Sequence, residues 1–256
     1  MPGMTIALNV MRFTFFNMEV SVPMYKRSLS LLTATYLMLV AGPVSAIIVD
    51  GNINDWLSTP IGTSADWGNT LRSSIHYVEG DQSSTPYYLN PGYGGQEYDV
   101  EAIYGELIGS TLNIAVVTGC QPGFCTGSTW IGGDIALNFD FASDSTSFEY
   151  GIVVQNHDAL SAGDVYAVDA WDYGIWTAPN VHDESSSSTF KSSHPVTVKS
   201  GTLKDNVSIA YEQIDAIGGL GGNHYLIETS IDLSLLGLGL AANDAFSIHW
   251  APTCNN

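Results

Sequence analysis

The chain has 256 residues, with 26 acidic and only seven basic side chains, so its formal net charge at pH 7 is −19. Such a charge repels nucleic acid and anionic lipid, and neither is expected as a partner. Acidic composition alone would suggest disorder, but a hydrophobic content of 45% and many large aromatic residues indicate a folded domain with a core.

The N-terminal segment has the features of a secretory signal. Lys26 and Arg27 precede an apolar run over residues 29–41, and Pro-Val-Ser-Ala at residues 43–46 supplies a small-x-small ending. The alternative is a membrane anchor, but the run is shorter than the ~20 residues that a spanning helix needs. We therefore expect cleavage after Ala46.

This cleavage divides the chain into a leader and signal peptide, residues 1–46, and a mature domain, residues 47–256. Three basic residues and one acidic residue leave with the leader, so four basic and 25 acidic residues remain and the net charge becomes −21. We expect the mature protein to have no membrane span and to be secreted, extracellular or held at the cell surface.

From residue 47 onward the hydrophobic pattern repeats every second residue, which predicts strands rather than helices. Phe246, Ile248 and Trp250, for example, alternate with small or polar residues. Residues 233–240 are the best helical candidate, but their glycines favour no more than a turn. The predicted strands cover residues 47–50, 98–107, 111–118, 134–141, 148–155, 164–171, 206–212, 225–233 and 245–250.

This series of short strands predicts a single all-β domain. We expect a two-sheet antiparallel β-sandwich of the jelly-roll type. One half of each strand's side chains would face the core between the sheets, and the other half would face water.

Residues 48–56 read Ile-Val-Asp-Gly-Asn-Ile-Asn-Asp-Trp, an apolar strand that leads into a D-G-x-x-D/N-D-W motif. This segment resembles the opening strand and turn of the family-9-like carbohydrate-binding modules. The resemblance implies an association with polysaccharide.

A second resemblance covers most of the mature chain and ends at residues 246–250 with Cys254. The series is similar to exported bacterial proteins that carry a PEP-CTERM sorting tail, which implies exopolysaccharide-producing, biofilm-forming bacteria and an extracellular matrix. The Pro-Glu-Pro tail of that family does not follow Trp250 here. If a final strand is also missing, the open sheet edge would pair with another chain, so homo-assembly is an alternative. The other matching segments are residues 98–102, 112–119, 132–137, 150–151 and 163–166.

Oxygen-bearing side chains cluster in the opening motif. Asp50, Asn52 and Asn54 recur at every second residue and Asp55 follows them, which offers the hard oxygen ligands that calcium prefers. An EF-hand is excluded, because Asp55 stands where that loop requires glycine and Ile61 stands where it requires glutamate. The alternative is that these side chains cap a turn by accepting hydrogen bonds from backbone N–H groups.

A second group of carboxylates comprises Asp99 and Glu101, two residues apart on one face of a predicted strand, and Asp134, which opens another strand. Neighbouring carboxylates repel unless they share a cation or a proton, and the chain has few basic residues to neutralise them. We therefore predict bound Ca²⁺, against the alternative of a solvated polar face. The predicted metal ligands are Asp50, Asn52, Asn54, Asp55, Asp99, Glu101 and Asp134.

Aromatic residues indicate a candidate glycan site, since sugar rings stack on exposed aromatic faces. Trp56 and Trp250 lie in regular strand or turn context and are expected in the core. Residues 171–176, Trp-Asp-Tyr-Gly-Ile-Trp, follow a predicted strand and mix aromatic rings with Asp and Gly, as a ligand-facing loop would. The predicted ligand-binding residues are Trp171, Asp172, Tyr173, Trp176, Tyr87 and Tyr88.

The three cysteines should be oxidised in an exported protein wherever partners exist. Cys120 and Cys125 enclose a turn-like Gln-Pro-Gly-Phe segment, and a local bridge between them is the simplest pairing. A bridge from Cys254 to one of the other two is the alternative.

The predicted function is that of a non-catalytic, calcium-stabilised protein of the extracellular matrix or cell surface that associates with polysaccharide or another matrix component. One alternative is a self-assembling surface or fibre subunit. Another is a polysaccharide-degrading glycoside hydrolase, because paired carboxylates can perform that chemistry. No strand carries a dense acidic motif, however, and no G-x-S-x-G elbow occurs.

Overall fold

The computed structural model describes residues 4–8, 46–57, 71–72, 74–79, 96–125, 129–144, 147–173, 181–182, 190–191, 195–214, 223–239 and 245–254. No helix in these ranges is long and apolar enough to cross a membrane. The strands are β1 (Met4–Leu8), β2 (His76–Glu79), β3 (Val100–Ile108), β4 (Thr111–Thr118), β5 (Ile135–Asn138), β6 (Tyr150–Ile152), β7 (Asp164–Asp172), β8 (Val181–His182), β9 (Phe190–Lys191), β10 (Thr197–Asn206), β11 (Ile209–Ile214), β12 (His224–Asp232) and β13 (Phe246–Trp250).

Two antiparallel sheets pack face to face, so the predicted all-β sandwich is confirmed. The five-stranded sheet has the order β11-β12-β4-β3-β2, and the six-stranded sheet has the order β1-β13-β5-β6-β7-β10. Strands β8 and β9 form a separate pair. The helical elements of the described residues are short 3-10 helices, at Ile53–Trp56, Gln96–Tyr98 and Leu233–Leu236.

The main hydrophobic core lies between the sheets. Ile103 of β3 and Ile114 of β4 meet Leu137 of β5 and Ile248 of β13, and all four side chains are fully buried. Residues two apart on a strand share a face, so the alternation seen in the sequence places these positions inward.

The outer face of the five-stranded sheet is also buried. Tyr104 and Val117 on this face pack against Ile53 and Trp56, which belong to the segment that precedes the sheet. We call residues 47–57 the N-terminal strap. Because the strap covers this face, the expectation that half of each strand faces water is wrong here, and β4 reads Leu-Asn-Ile-Ala-Val-Val as a nearly continuous apolar run.

Some strands and turns have the bounds that the sequence predicted, and others do not. Strand β4 has the predicted bounds, whereas residues 47–50 belong to the strap and form no strand. Strand β10 was not predicted. The predicted turn over residues 233–240 is a 3-10 helix, Leu233–Leu236, which ends at Gly237 with φ of 74°. Strand β1 falls within the predicted leader, and the division of the chain at Ala46 stays a prediction.

Candidate functional site

The opening motif is bound to a buried glutamate on the neighbouring sheet. Glu228 of β12 is fully buried, and its Oε1 accepts a hydrogen bond of 2.6 Å from Trp56 Nε1. Its Oε2 accepts bonds from the backbone N–H of Gly51, at 2.6 Å, and of Asp50, at 3.3 Å. This carboxylate therefore holds both ends of the strap's turn against the sheet.

Burial raises the pKa of Glu228 above its ordinary value, because the charged form is desolvated. The hydrogen bonds from Trp56 and from the backbone of Gly51 and Asp50 lower that pKa, and the charge of Asp50 raises it further. The net direction is upward, so a fully buried carboxylate with neutral donors binds its proton more tightly than an exposed one.

Three of the four oxygen-bearing residues of the motif accept hydrogen bonds from the strap's own backbone, and the fourth, Asn54, donates its Nδ2 to Asn52 Oδ1 at 2.8 Å. Asp50 Oδ1 accepts from Asn52 N–H at 2.9 Å, and Asn52 Oδ1 accepts from Asn54 N–H at 3.1 Å. Asp55 Oδ2 accepts from Ile48 N–H at 2.8 Å. These bonds are the ones expected for turn capping.

Gly51 is required at this turn. Its φ of 79° lies in the left-handed region, and an added Cβ would stand 2.7 Å from Glu212 Cγ. The glycine lets the backbone approach both Glu228 and strand β11 closely.

Asp99 and Glu101 are buried at the start of β3. Asp99 precedes the strand, and the β3–β4 register shifts between Val100 and Ala102. The two carboxylates therefore do not lie on one face of a regular strand, as the sequence had predicted. Glu101 Oε1 lies 3.2 Å from Nε2 of the buried His224, the first residue of β12. The alternative of a solvated polar face is wrong for these two residues.

Asp134 is fully buried in the six-stranded sheet region and ties three segments together. Its Oδ1 accepts from Val154 N–H at 3.1 Å, and its Oδ2 accepts from Val198 N–H at 2.8 Å. His157 Nε2 lies 2.9 Å from the same Oδ2. The solvated-face alternative is therefore wrong for Asp134 as well.

Burial lowers the pKa of His157, but the hydrogen bond and negative charge of Asp134, followed by those of Asp158, outweigh it and raise the pKa above 6.5. Asp158 Oδ2 lies 3.6 Å from His157 Nδ1, and its side chain is exposed. The arrangement is a histidine held between a buried and an exposed carboxylate.

The structure thus distributes the seven predicted metal ligands among separate hydrogen-bonded groups. Within the ranges that the structure describes, no group of three or more His, Cys, Asp or Glu side chains is placed to hold a metal ion. Calcium binding stays a prediction of the sequence.

The aromatic end of β7 is the described part of the predicted glycan site. Trp171 is half-buried and its Nε1 donates a 2.9 Å bond to the carbonyl of Phe148. An added Cβ at Gly151 would lie 2.7 Å from Trp171 Cη2, so the indole lies directly over β6. Asp172 is exposed, and its Oδ1 accepts a hydrogen bond of 2.9 Å from the backbone N–H of Tyr173. Tyr173 is half-buried, and burial raises the pKa of its hydroxyl group. Trp176, Tyr87 and Tyr88 lie outside the described residues.

The predicted disulfide between Cys120 and Cys125 is confirmed, and it excludes the alternative bridge from Cys254 to either of them. Both half-cystines are fully buried in the inter-sheet core. Tyr211 Oη donates a 2.7 Å bond to the carbonyl of Cys120, which ties this loop to β11.

Three groups that organise the molecule were not predicted from the sequence. Glu228 and His157 are described above, and Glu106 of β3 is the third. The Glu106 carboxylate lies 3.3 Å from Arg72 Nη2 and accepts a hydrogen bond from Ser74 Oγ. The sequence did contain one sign of this group: Glu106 is a single glutamate on the outward face of β3, where the neighbouring outward residues are apolar.

Comparisons of the chain with protein-family models, with curated proteins and with solved structures found no match.

Proposed function

We propose that this chain is an exported, non-catalytic β-sandwich protein of the cell surface or extracellular matrix that binds polysaccharide at the aromatic end of β7. The observation that carries the proposal is the setting of Trp171. Its ring is fixed on the sheet and remains partly exposed, and the exposed Asp172 follows it in the chain.

The fixed indole is suited to sugar binding. The bond from Trp171 Nε1 to the Phe148 carbonyl and the packing over Gly151 restrict the ring's rotation, so little rotamer entropy is lost when a ligand stacks on it. Asp172 accepts one local hydrogen bond through Oδ1, and a carboxylate has further acceptor capacity for the hydroxyl groups of a sugar.

Two observations support export. The leader has a basic region, an apolar run and a small-x-small ending, as secretory signals do. The disulfide between Cys120 and Cys125 is of the kind that persists in oxidising compartments and is rare in the cytosol.

The contacts of the buried carboxylates support a non-catalytic role. Glu228 and Asp134 each accept two backbone N–H bonds, and each is fully buried. Carboxylates used in this way hold segments together, whereas glycoside hydrolysis needs a pair that flanks a substrate.

Binding to an array of neutral and acidic polysaccharides tests the proposal, with the purified exported protein as the probe. We expect Trp171→Ala to abolish binding and Trp171→Phe, which keeps a ring but loses the bond to Phe148, to weaken it. Phe124→Ala, which removes an exposed ring in the loop between Cys120 and Cys125, serves as the control and should bind normally. Each variant is melted to show that it is folded. Equal binding by folded Trp171→Ala would refute the site.

A further inference from the structure

The two edges of the six-stranded sheet are protected in different ways. At one edge, β10 bears Lys199 and Lys204, both exposed, and the β10–β7 register shifts at each of these lysines. Lysines and bulges on an edge strand prevent another strand from pairing with it. This edge is closed to partners by its own sequence.

The opposite edge has none of these features. Strand β13, Phe-Ser-Ile-His-Trp, contains no lysine, proline or register shift, and all five of its residues are buried. Its outer edge is covered by β1, which pairs in an unbroken antiparallel register from Met4↔Trp250 to Leu8↔Phe246. β1 also contacts β2 and β3 of the other sheet, so it lies where the two sheets approach each other.

The covering strand comes from the part of the chain that is predicted to be removed. Ala46, the expected cleavage point, follows Leu8 by 38 residues and is exposed. Cleavage there cuts the covalent link between β1 and the sandwich. Once the cut fragment has left, the edge N–H and C=O groups of β13 no longer have β1 as a partner, beside the buried side chains of Phe246, Ile248 and Trp250.

We propose that the free edge of β13 is a strand-acceptor site in the mature protein. Its occupant is an extended segment of another polypeptide that runs antiparallel to β13, carries no charge and has apolar residues at alternate positions, as Met-Thr-Ile-Ala-Leu does in β1. Backbone hydrogen bonds supply the affinity in such strand addition, and alternate side chains supply the specificity. This inference rests on the proposed export, because processing frees the edge.

The test uses the full chain with a specific protease site placed at residues 42–46, so that the protein folds before it is cut. The probe is a fluorescent peptide of residues 2–10, and its binding is followed by anisotropy. We expect the cut protein either to retain fragment 1–46 on a sizing column or to bind the peptide. The uncut chain should bind the peptide much more weakly, because its own β1 competes at high effective concentration.

Two peptide variants serve as controls and leave the protein unchanged. Ile6→Pro removes a backbone N–H and should weaken peptide binding about tenfold or more, and Ile6→Asp should weaken it by placing a charge in the strand. A photo-crosslinker at position 6 should attach to residues 246–250. Loss of the fragment without peptide binding, equal binding of the Ile6→Pro peptide, or crosslinks elsewhere would overturn the proposal.

The outcome of the peptide experiment depends neither on export nor on polysaccharide binding, because a protease makes the cut and no polysaccharide is present. N-terminal sequencing of the exported protein tests processing after Ala46 separately. A protein that is processed but binds no peptide would reject the acceptor site alone.

Discussion

Glu228 and Trp56 lie 172 residues apart in sequence and are joined by a 2.6 Å hydrogen bond from the indole Nε1 to the carboxylate Oε1. The Trp56 ring also packs against Tyr104, with ring centroids 5.9 Å apart. The N-terminal strap is therefore attached to the five-stranded sheet by a polar contact inside an apolar layer. Removing either part should loosen the segment that follows the predicted cleavage point.

Trp56→Phe should lower the free energy of unfolding by about 1–3 kcal/mol, because the buried Glu228 carboxylate loses its side-chain donor. Urea denaturation measures the change. Ile53→Val is the matched control, since it removes one methylene from the same apolar layer and should cost about 0.5–1.5 kcal/mol. If Trp56→Phe is as stable as wild type, the strap is not held in this way.

Glu228 should make stability depend on pH. Because burial raises its folded-state pKa above the ordinary value of 4.5, its contribution is fully present below that value and is lost as pH rises through the folded-state pKa. In Glu228→Gln the free energy of unfolding should depend less on pH over the range in which Glu228 titrates. A Glu228→Gln profile of unfolding free energy against pH that is parallel to wild type would contradict the account.

The strap shows what sequence analysis could and could not supply. Spacing alone indicated that Asp50, Asn52 and Asn54 either cap a turn or bind calcium, since both uses need oxygen acceptors at short intervals. Their partner across the fold, Glu228, could not be identified, because nothing local marks which strand face the strap will cover. A strand was predicted at residues 47–50, but Ile47 packs against the five-stranded sheet's outer cluster and Ile48 is exposed.

The sheets were predictable where a strand carries a clear hydrophobic pattern. β13 alternates and β4 is a nearly continuous apolar run, and both were found within a residue of their predicted bounds. β10 was missed because it is an edge strand with polar, exposed residues on both sides and two lysines at bulges. Asp134 was predicted as a metal ligand, and two of its partners in the structure are the backbone N–H groups of Val154 and Val198, which side-chain spacing cannot reveal.

Asp134 should set the pKa of His157. In Asp134→Asn the negative charge is lost, and the NMR titration midpoint of the His157 ring should fall below that of wild type. Asp158→Asn should lower it less, because the Asp158 carboxylate is exposed and 3.6 Å from Nδ1. An unchanged midpoint in folded Asp134→Asn would show that the pair does not form.

The same pair adds a second pH dependence. Because the His157 pKa is raised, its contribution to stability is full below 6.5 and is lost as pH rises through the folded-state value. Comparison of wild type with His157→Gln should show a stability difference that is larger at pH values below 6.5 than above the folded-state pKa. A difference that does not vary with pH would contradict this prediction.

Calcium binding at the strap is tested by thermal melting in calcium and in chelator. A bound ion raises the midpoint by mass action. If the strap binds calcium, Asp55→Asn should abolish the increase, whereas Asp158→Asn, far from the motif in sequence, should retain it. Superimposable wild-type melting curves would reject the calcium prediction.

The most direct test of the proposed function locates the bound polysaccharide on the molecule. Backbone hydrogen exchange is measured on the exported protein with and without the polysaccharide that it binds most tightly on the array. We predict slower exchange at residues 171–173 and in the adjacent part of β10. Protection confined to other surfaces, or no protection when the polysaccharide is bound, would contradict the account.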